Sequence, residues 1–238
     1  MKAFPENVKL LSTERFIKGG KSSGNLKNFN LAFHDKDIRE NVLSNRFILK
    51  DHYGLPSEPI WINQTHSSIC INAAKIKSSV EADASFTSKP GIVCGVLTAD
   101  CLPVFISKRD GSMVGVAHAG WRGLISGVIE NLINSFDISG DHLVAHLGPA
   151  ISMNSFEVGN EIKDIYLSKN IEFEHSFSVH NNKYYLNLYD AAKLILERLK
   201  ISAISGGDRC TFKETNHFFS YRRDGINSGR MAHLIWMQ

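Results

Sequence analysis

A cysteine and a histidine, Cys101 and His118, flank a segment that is typical of a β-hairpin. The segment reads TADCLPVFISKRDGSMVGVAHAGWRG, and its Asp-Gly pair is a strong turn signal. If residues 108–111 form the loop, Cys101 lies directly opposite His118, with Cβ atoms about 4.5–5.5 Å apart. If only the Asp-Gly pair turns, His118 faces Pro103 and Cys101 becomes its diagonal neighbour, about 7–8 Å away. Both registers predict that a thiol and an imidazole can reach one shared ligand.

A metal ion is the ligand that this pair suits best. Two imidazoles and one thiolate form a donor set of catalytic zinc sites, in which the fourth position holds water. The third ligand has to come from another histidine, and His66 is the best candidate because it lies near a predicted strand end, in the polar stretch QTHSS. None of the four cysteines forms a CxxC pair, so free thiols are expected and any metal site is assembled from distant segments.

The other histidines carry weaker signals. His142 and His146 share a face whether HLVAHL is a strand or a helix, but we expect no metal there. The isolated histidines are expected to be surface or packing residues; they are His34, His52, His175, His180, His217 and His233.

Basic side chains near these blocks can hold an anion such as phosphate. Apolar spacing predicts a helix over 123–136, whose amino terminus lies just beyond His118 and beside Arg122. Arg15 is a second candidate. The stretch YRRDGINSGR concentrates three arginines around a turn, for which a solvated loop and an anion site are equal alternatives.

Apolar periodicity predicts both helices and strands around these residues. Besides 123–136, helices are expected over Asp37–Leu49, with Asp37 as the cap, and over Glu161–Leu167 and Asp190–Leu199. Strands are expected over 91–97, 102–106, 113–117, 143–147 and 231–237. Because strands and helices do not alternate strictly, the pattern favours an α+β fold.

The composition bounds the class of protein. The chain has 238 residues, 43% hydrophobic and 21% charged, which fits one large domain or two small ones with a sizeable core. A net charge of +3 without a dense basic block gives no indication of nucleic acid or membrane as a partner. No signal-peptide pattern and no apolar run of about 18 residues is present, so a cytoplasmic protein is expected.

Seven blocks, in this order, resemble the YfiH-type family of laccase-domain proteins, formerly called multicopper polyphenol oxidase-like. They are QTHSS (64–68), ADASFTSKPG (82–91), TADCLPV (98–104), AHAGWRGL (117–124), LGPAIS (147–152), FEVG (156–159) and FFSYRRDG (218–225). The blocks span nearly the whole chain. The amino-terminal STERFIKGGKSSG matches the family only loosely, with extra residues after Arg15, and DGINSGR is one residue longer than the usual turn.

The resemblance implies a single domain over 1–238, folded as an α/β/β/α layered sandwich with mixed sheets. It implies a zinc ion held by His66, Cys101 and His118, which are then also the catalytic residues, with copper as the alternative metal. The implied activity is phosphorolysis of adenosine, inosine and methylthioadenosine to base and ribose 1-phosphate, together with adenosine deamination. The implied partners are therefore purine nucleosides and phosphate; the oligomeric state stays open.

Four further residues are candidates for contact with substrate or phosphate: Arg15, Gln64, Asp100 and Arg122. In deamination zinc would activate water and Asp100 would shuttle the proton. In phosphorolysis Arg122, Arg15 and the helix start at Gly123 would hold phosphate.

Three other functions remain as alternatives. One is an amidase acting on peptidoglycan precursors, with Cys101 as nucleophile, His118 as base, and Asp100 or His66 as the orienting group. A second is a copper polyphenol oxidase, which the ten histidines without an H-x-H pair argue against. The third is a binding protein without catalytic turnover.

Overall fold

Thirteen strands in three sheets form the framework of the described residues, which are 4–33, 37–76 and 78–238 of the computed structural model. The prediction for His34 lies outside these residues. The strands are β1 (Val8–Ser12), β2 (Ile60–Trp61), β3 (Cys70–Asn72), β4 (Ala84–Thr87), β5 (Cys94–Thr98), β6 (Leu102–Lys108), β7 (Val114–Ala119), β8 (Leu143–Leu147), β9 (Glu157–Val158), β10 (Phe177–His180), β11 (Lys183–Leu186), β12 (Ile204–Gly206) and β13 (Met231–Met237). The α-helices of the same residues are α1 (Arg39–His52), α2 (Trp121–Ser126), α3 (Val128–Asn134), α4 (Asn160–Lys169), α5 (Leu188–Arg198) and α6 (Tyr221–Asp224).

Two mixed sheets pack face to face. One has the order β1-β13-β5-β2 and the other β12-β8-β6-β7-β4-β3, while β10-β11-β9 form a small third sheet. Side chains alternate between the faces of a strand, so Ile235 points to the layer between the sheets, where it joins Val96, Phe105 and Val116. This layer is the central core of the protein.

Helices cover the two outer faces. Leu234 and Trp236, on the other face of β13, pack with Leu49 of α1. The outer face of the larger sheet packs on α2, α3 and α5 through a second core that includes Leu132 and Leu196. The layers are therefore α/β/β/α, and the predicted α+β sandwich is confirmed.

The hairpin of β6 and β7 has one of the two predicted registers. Pro103 pairs with His118 and Leu102 with Ala119, as expected for the two-residue turn, so the register that sets Cys101 opposite His118 is wrong. The loop itself is longer than two residues, because the Lys108 amide donates to the Met113 carbonyl at 2.9 Å and the Gly111 amide donates to the Lys108 carbonyl at 3.0 Å.

The helix predicted over 123–136 is two helices. Gly127, with a φ of 91°, separates α2 from α3, and the first helix begins at Trp121 rather than Gly123. The apolar stripe continues through the break, since Leu124 and Val128 are both fully buried on either side of it. The stripe therefore predicted the buried face but not the change of direction.

The other predicted elements are mostly confirmed. Helices occupy 160–169 and 188–198, and strands occupy 143–147 and 231–237. The predicted cap of α1 is wrong: Ile38 is the N-cap residue, and the Asp37 carboxylate instead accepts hydrogen bonds from Ser22 and Asn30. Within the described residues, no helix has the length and apolar character needed to cross a membrane.

Candidate metal centre and substrate cavity

The three predicted ligands meet at one end of the two sheets. The donor atoms of His66, Cys101 and His118 all lie within 4.8 Å of one another, and the Cys101 Sγ is 3.9 Å from His66 Nε2. Of all the His, Cys, Asp and Glu side chains in the described parts of the chain, these three form the one group placed to hold a metal ion. His142 and His146 lie outside this group.

Chain crossovers between the sheets bring the three residues together. His66 follows β2 of the smaller sheet and precedes β3 of the larger one, while Cys101 lies between β5 and β6, which belong to the same two sheets. Since β2 and β5 are parallel neighbours, both crossovers leave the smaller sheet at the same end. His118 reaches this end from β7.

A buried aspartate, Asp83, fixes both histidines. Its carboxylate accepts hydrogen bonds from the backbone amides of Thr65, His66 and Ser67, and from the Ser67 hydroxyl. The same carboxylate lies 2.8 Å from His118 Nδ1. These bonds hold His66 in the left-handed conformation, with a φ of 60°, which a residue with a Cβ rarely adopts.

The electrostatics of the cluster favour a thiolate beside an imidazolium in the metal-free protein. Burial acts to raise the pKa of Cys101, but the His118 and His66 rings outweigh it and lower that pKa to about 6. Burial likewise acts to lower the pKa of His118, yet Cys101 and Asp83 raise it to about 9. Burial opposes the ionised form of Asp83, but its bonds to His118 and Ser67 lower its pKa to about 2.

These residues fit a metal ion. With Nδ1 of His118 directed at Asp83, Nε2 is the nitrogen left to face a metal, as in the carboxylate–histidine–metal arrangement of many sites. Tetrahedral zinc places its nitrogen and sulfur ligands about 3.3–3.6 Å apart, slightly closer than these donor atoms lie here. Three protein ligands leave one coordination position for water or substrate, and the cluster opens on a cavity.

Gly120 makes room for the cluster. A Cβ on Gly120 would lie 2.9 Å from the Cys101 Sγ and 3.1 Å from His66 Cδ2. A side chain at this position of the HAGWRG block would therefore crowd two of the three clustered residues, which explains why glycine suits it.

The adjoining cavity has a volume of about 940 Å³ and a cationic lining. Such a volume lies at the upper end of the range for small-molecule sites, which is about 300–1,000 Å³. Its arginines are Arg46, Arg122, Arg222 and Arg230. Among the described residues that line it, Asp100 provides the single carboxylate, so the cavity favours an anionic or oxygen-rich guest.

Asp100 is fully engaged by the protein. One carboxylate oxygen accepts from the Thr211 hydroxyl at 2.6 Å, and the other accepts from the Ser220 hydroxyl at 3.0 Å and the Arg222 amide at 2.6 Å. A carboxylate that accepts three hydrogen bonds is poorly suited to carry a proton to substrate. Asp100, whose φ is 92°, instead fixes the crossover that carries Cys101.

Gln64 and Arg15 are also used structurally. Gln64 lines the cavity, but its amide exchanges two hydrogen bonds with the backbone of Leu97, at 2.7 and 2.8 Å. The Arg15 guanidinium donates to the carbonyl oxygens of Asn25, Lys27 and Thr215 and does not line the cavity. This arginine ties together three chain segments, and its contact with substrate stays a prediction.

Arg122 lines the cavity. The helix beside it begins at Trp121 rather than at the predicted Gly123. The Arg122 guanidinium carbon lies 4.2 Å from the Trp121 ring centroid, and both residues belong to the first turn of α2. Arg222 and Arg230 join it; Arg222 donates to the Glu157 carbonyl, and Arg230 donates to the Ser228 and Gly229 carbonyls.

Sequence reasoning missed Asp83 and Arg46. Asp83 stands between two alanines in ADAS, next to a buried strand, and a charge in such a run requires a partner, which is a signal that could have identified it. Arg46 lies within a helix that has other basic residues, so nothing in the local pattern distinguishes it.

Comparison with known proteins identifies the family. The family described as multi-copper polyphenol oxidoreductase laccase matches residues 10–238. This chain belongs to that family. The purine nucleoside phosphorylase YfiH of Escherichia coli is 40% identical over 234 residues, which cover 98% of this chain and 95% of the relative. A purine nucleoside phosphorylase of Haemophilus influenzae is 39% identical over 237 residues, covering 98% and 96%.

A solved structure agrees with the fold. The crystal structure of the Neisseria meningitidis protein NMB0706 superposes with a TM-score of 0.92 at 42% identity, covering 99% of this chain and 96% of that one. The two structures thus share the sandwich along nearly the whole chain.

Proposed function

We propose that this protein is a zinc-dependent purine nucleoside phosphorylase that also deaminates adenosine. Adenosine, inosine or methylthioadenosine would react with phosphate to give the free base and ribose 1-phosphate. The observation that carries the proposal is the His66–Cys101–His118 cluster, which opens on an arginine-lined cavity. Its support is the 40% identity to the Escherichia coli phosphorylase over nearly the whole chain.

Zinc is the proposed metal because two imidazoles and a thiolate are a common catalytic donor set for zinc. His66, Cys101 and His118 would hold it, and Asp83 would orient both histidines. When bound, zinc supplies Lewis acidity, which lowers the pKa of water at the site and activates it for attack on the purine carbon that bears the amine.

The remaining side chains of the cavity bind and orient the reactants. Arg122, Arg222 and Arg230 supply positive charge and donors for phosphate, which has to be held against the sugar carbon while the base departs. Apolar side chains such as Ile151 and Leu188 exclude water and suit the faces of a purine.

The geometry also favours a second candidate, a cysteine amidase. Cys101, His118 and Asp83 are arranged in space like the nucleophile, base and orienting carboxylate of thiol hydrolases. His118 Nδ1 lies 2.8 Å from the Asp83 oxygen. This differs from the expected orienting groups, Asp100 and His66. Substrates would be amides of peptidoglycan precursors.

A copper polyphenol oxidase fits the donor set poorly. Multicopper chemistry needs several clusters of imidazole ligands, whereas the described residues bring together one group of two histidines and one cysteine. The family description names that activity, but the ligand set of this chain suits a single metal ion.

Product analysis tests the proposal. Zinc-loaded protein is incubated with adenosine, with and without phosphate, beside the Cys101→Ala variant, and the products are separated by chromatography and weighed by mass spectrometry. We expect adenine and ribose 1-phosphate only with phosphate and only with Cys101 present, and inosine without phosphate. No product in any tube would refute the nucleoside proposal, and rapid alkylation of Cys101 with release of amide products would then favour the amidase.

A further inference from the structure

Three side chains form a cation–π cluster at the cavity, which we call the Arg46 cage: Arg46, Phe33 and Trp61. The guanidinium carbon of Arg46 lies 4.3 Å from the Phe33 ring centroid and 4.3 Å from the Trp61 ring. All three side chains line the cavity. Arg46 comes from α1 and Trp61 from β2, which leads to the loop of His66.

The cage leaves only the edge of the guanidinium for a ligand. Its Nε donates to the Leu31 carbonyl at 3.0 Å, and in the described part of the chain no carboxylate forms an ion pair with it. Burial lowers the pKa of Arg46 to about 10, while the charge of Glu58, which accepts a hydrogen bond from the Trp61 ring, acts to raise it, so the guanidinium is charged at neutral pH. The N–H donors of a guanidinium lie in the plane of the group. Because the two rings lie beside it, a ligand can approach the Nη–H donors along their edge.

Two donors in one plane match two acceptors in one plane. A 6-oxopurine presents O6 and N7 side by side, and this pair is the usual partner of a bidentate arginine. Adenine has an amino group in place of O6, so one hydrogen-bond donor of adenine would face a donor of the arginine. Ala32 and Ile62, which line the cavity near the cage, are apolar and suit the faces of a purine ring.

Phosphate fits the cage less well than a purine does. Its four oxygens need donors from several directions, and the cage supplies one edge among apolar side chains. Arg122, Arg222 and Arg230 suit phosphate better, because they bring donors from separate chain segments to the same cavity, and the Arg222 amide contacts Asp100, the residue before Cys101.

We propose that Arg46 is a specificity-determining residue that donates its two Nη groups to O6 and N7 of a 6-oxopurine nucleoside. The residue thereby favours inosine and guanosine over adenosine. This inference rests on the phosphorylase part of the proposed function, since it assigns the base subsite for phosphorolysis in the same cavity. Deamination would need a second orientation, with the amine-bearing carbon of the purine at the metal.

Steady-state kinetics of two variants test it. The kcat/KM values for phosphorolysis of inosine and adenosine are measured at saturating phosphate for the zinc-loaded wild type, Arg46→Gln and Arg46→Lys. Arg46→Lys keeps the positive charge but lacks the two parallel N–H donors of the guanidinium, so it tests the inference even if Arg46→Gln does not fold. Both variants are expected to lower the inosine-to-adenosine ratio by about 5–150-fold, the discrimination of a bidentate pair. The KM for phosphate is expected to stay unchanged.

Arg39→Gln is the matched control. Arg39 lies on the same helix and stacks on the same Phe33 ring, 4.8 Å from its centroid, but it does not line the cavity. Its ratio of kcat/KM values is expected to equal that of the wild type.

The dissociation constants of inosine and adenosine, measured by calorimetry without phosphate, separate this inference from the proposed function. Weaker inosine binding in the Arg46 variants supports the base subsite even if no variant turns over, which would refute the phosphorylase alone. If the Arg46 variants cleave nucleosides with an unchanged inosine-to-adenosine ratio of kcat/KM values, the base subsite alone is overturned. The same holds if that ratio is unchanged and the KM for phosphate rises. A wild type that neither binds nor cleaves nucleosides overturns both.

Discussion

One carboxylate, Asp83, determines the arrangement of both histidines in the proposed metal centre. It accepts from three consecutive backbone amides around His66 and from the His118 ring, and it is fully buried. Such an acceptor fixes the His118 tautomer and the loop conformation together, so a single substitution affects two ligands at once.

Asp83→Asn is therefore expected to lower zinc affinity by about 10–100-fold, the usual cost of losing a partner of a ligating histidine. The amide presents a donor where the backbone amides need an acceptor. Competition with a chromophoric chelator measures the affinity. Ser67→Ala, which removes one hydroxyl bond to the same carboxylate, is expected to change the affinity far less. Equal affinity of Asp83→Asn and wild type would contradict this role.

Gly120→Ala is expected to disturb the ligands while the fold stays intact. The φ of Gly120 is −67°, which alanine adopts freely, but the new Cβ would crowd Cys101 and His66. Overpacking costs about 1–3 kcal/mol, or about 5–150-fold in zinc affinity. A zinc titration with circular dichroism of the metal-free protein separates the two effects.

Gly123→Ala is the control for Gly120→Ala. Its nearest atoms are the His118 carbonyl oxygen at 3.3 Å and Val128 Cγ1 at 3.4 Å, so it leaves the ligand side chains alone. If Gly120→Ala binds zinc as the wild type does, the cluster tolerates a methyl group and the steric explanation is wrong.

At the level of elements, the break at Gly127 shows what apolar periodicity can and cannot predict. The stripe over 123–136 identified the buried face, because both helices face the larger sheet. It could not reveal the break, because the left-handed glycine shifts the helix axis without removing any residue from the core. By contrast, the Asp-Gly pair predicted the hairpin from local turn chemistry alone.

Gly127→Ala is expected to destabilise the protein by about 1–2 kcal/mol, the cost of a left-handed conformation for a residue with a Cβ. The nearest atom, Glu130 Oε2, is 3.8 Å away, so no clash contributes. Gly127→Asn is expected to cost less, since asparagine tolerates this region. Urea unfolding measures both, with the exposed Ser126→Ala as control. Equal stability of all variants would show that the break is not strained.

His233 links three neighbouring strands and makes their stability depend on pH. Its ring lies 2.9 Å from Ser12 Oγ of β1 and 2.8 Å from Thr98 Oγ1 of β5. Burial, with a smaller contribution from the charge of His118, lowers its pKa to about 3. Below about pH 6.5 the unfolded chain binds a proton that the folded protein does not, so stability falls as pH falls.

Between pH 7 and pH 5 this histidine is expected to remove about 2 kcal/mol from the free energy of unfolding. His233→Gln lacks the titrating ring and should lose less over the same interval. Urea unfolding of both proteins at the two pH values measures the difference. Parallel losses in the two proteins would assign the pH dependence to other groups.

For the whole molecule, sequence and structure agree where the signal is local or repeated. The sandwich, the closing strand at 231–237 and the identity of the three clustered residues could all be predicted from patterns and blocks. Asp83, Arg46 and the hydrogen bonds of Asp100 could not, because each depends on partners on other elements: Asp83 on His118, Arg46 on Trp61, and Asp100 on Thr211 and Ser220. Long-range pairing of polar groups leaves no periodicity to detect.

Zinc is expected to stabilise the entire fold, because its proposed ligands come from both sheets. A ligand that binds only the folded state adds about 2.7 kcal/mol at a free concentration 100 times its dissociation constant. For a chain of this size the thermal midpoint then rises by about 5–10 °C. Scanning calorimetry of metal-free protein with and without zinc measures the shift, and a chelator should reverse it.

The two cysteine variants decide whether the shift arises at the proposed centre. Cys101→Ala should lose most of it, since a ligand set of two imidazoles remains. Cys70→Ala is the matched control, because Cys70 is a free, partly buried thiol that contacts Ser135 outside the cluster, and its variant should keep the full shift. If zinc raises the midpoint of Cys101→Ala as much as that of Cys70→Ala, the metal binds elsewhere and Cys101 is not one of its ligands.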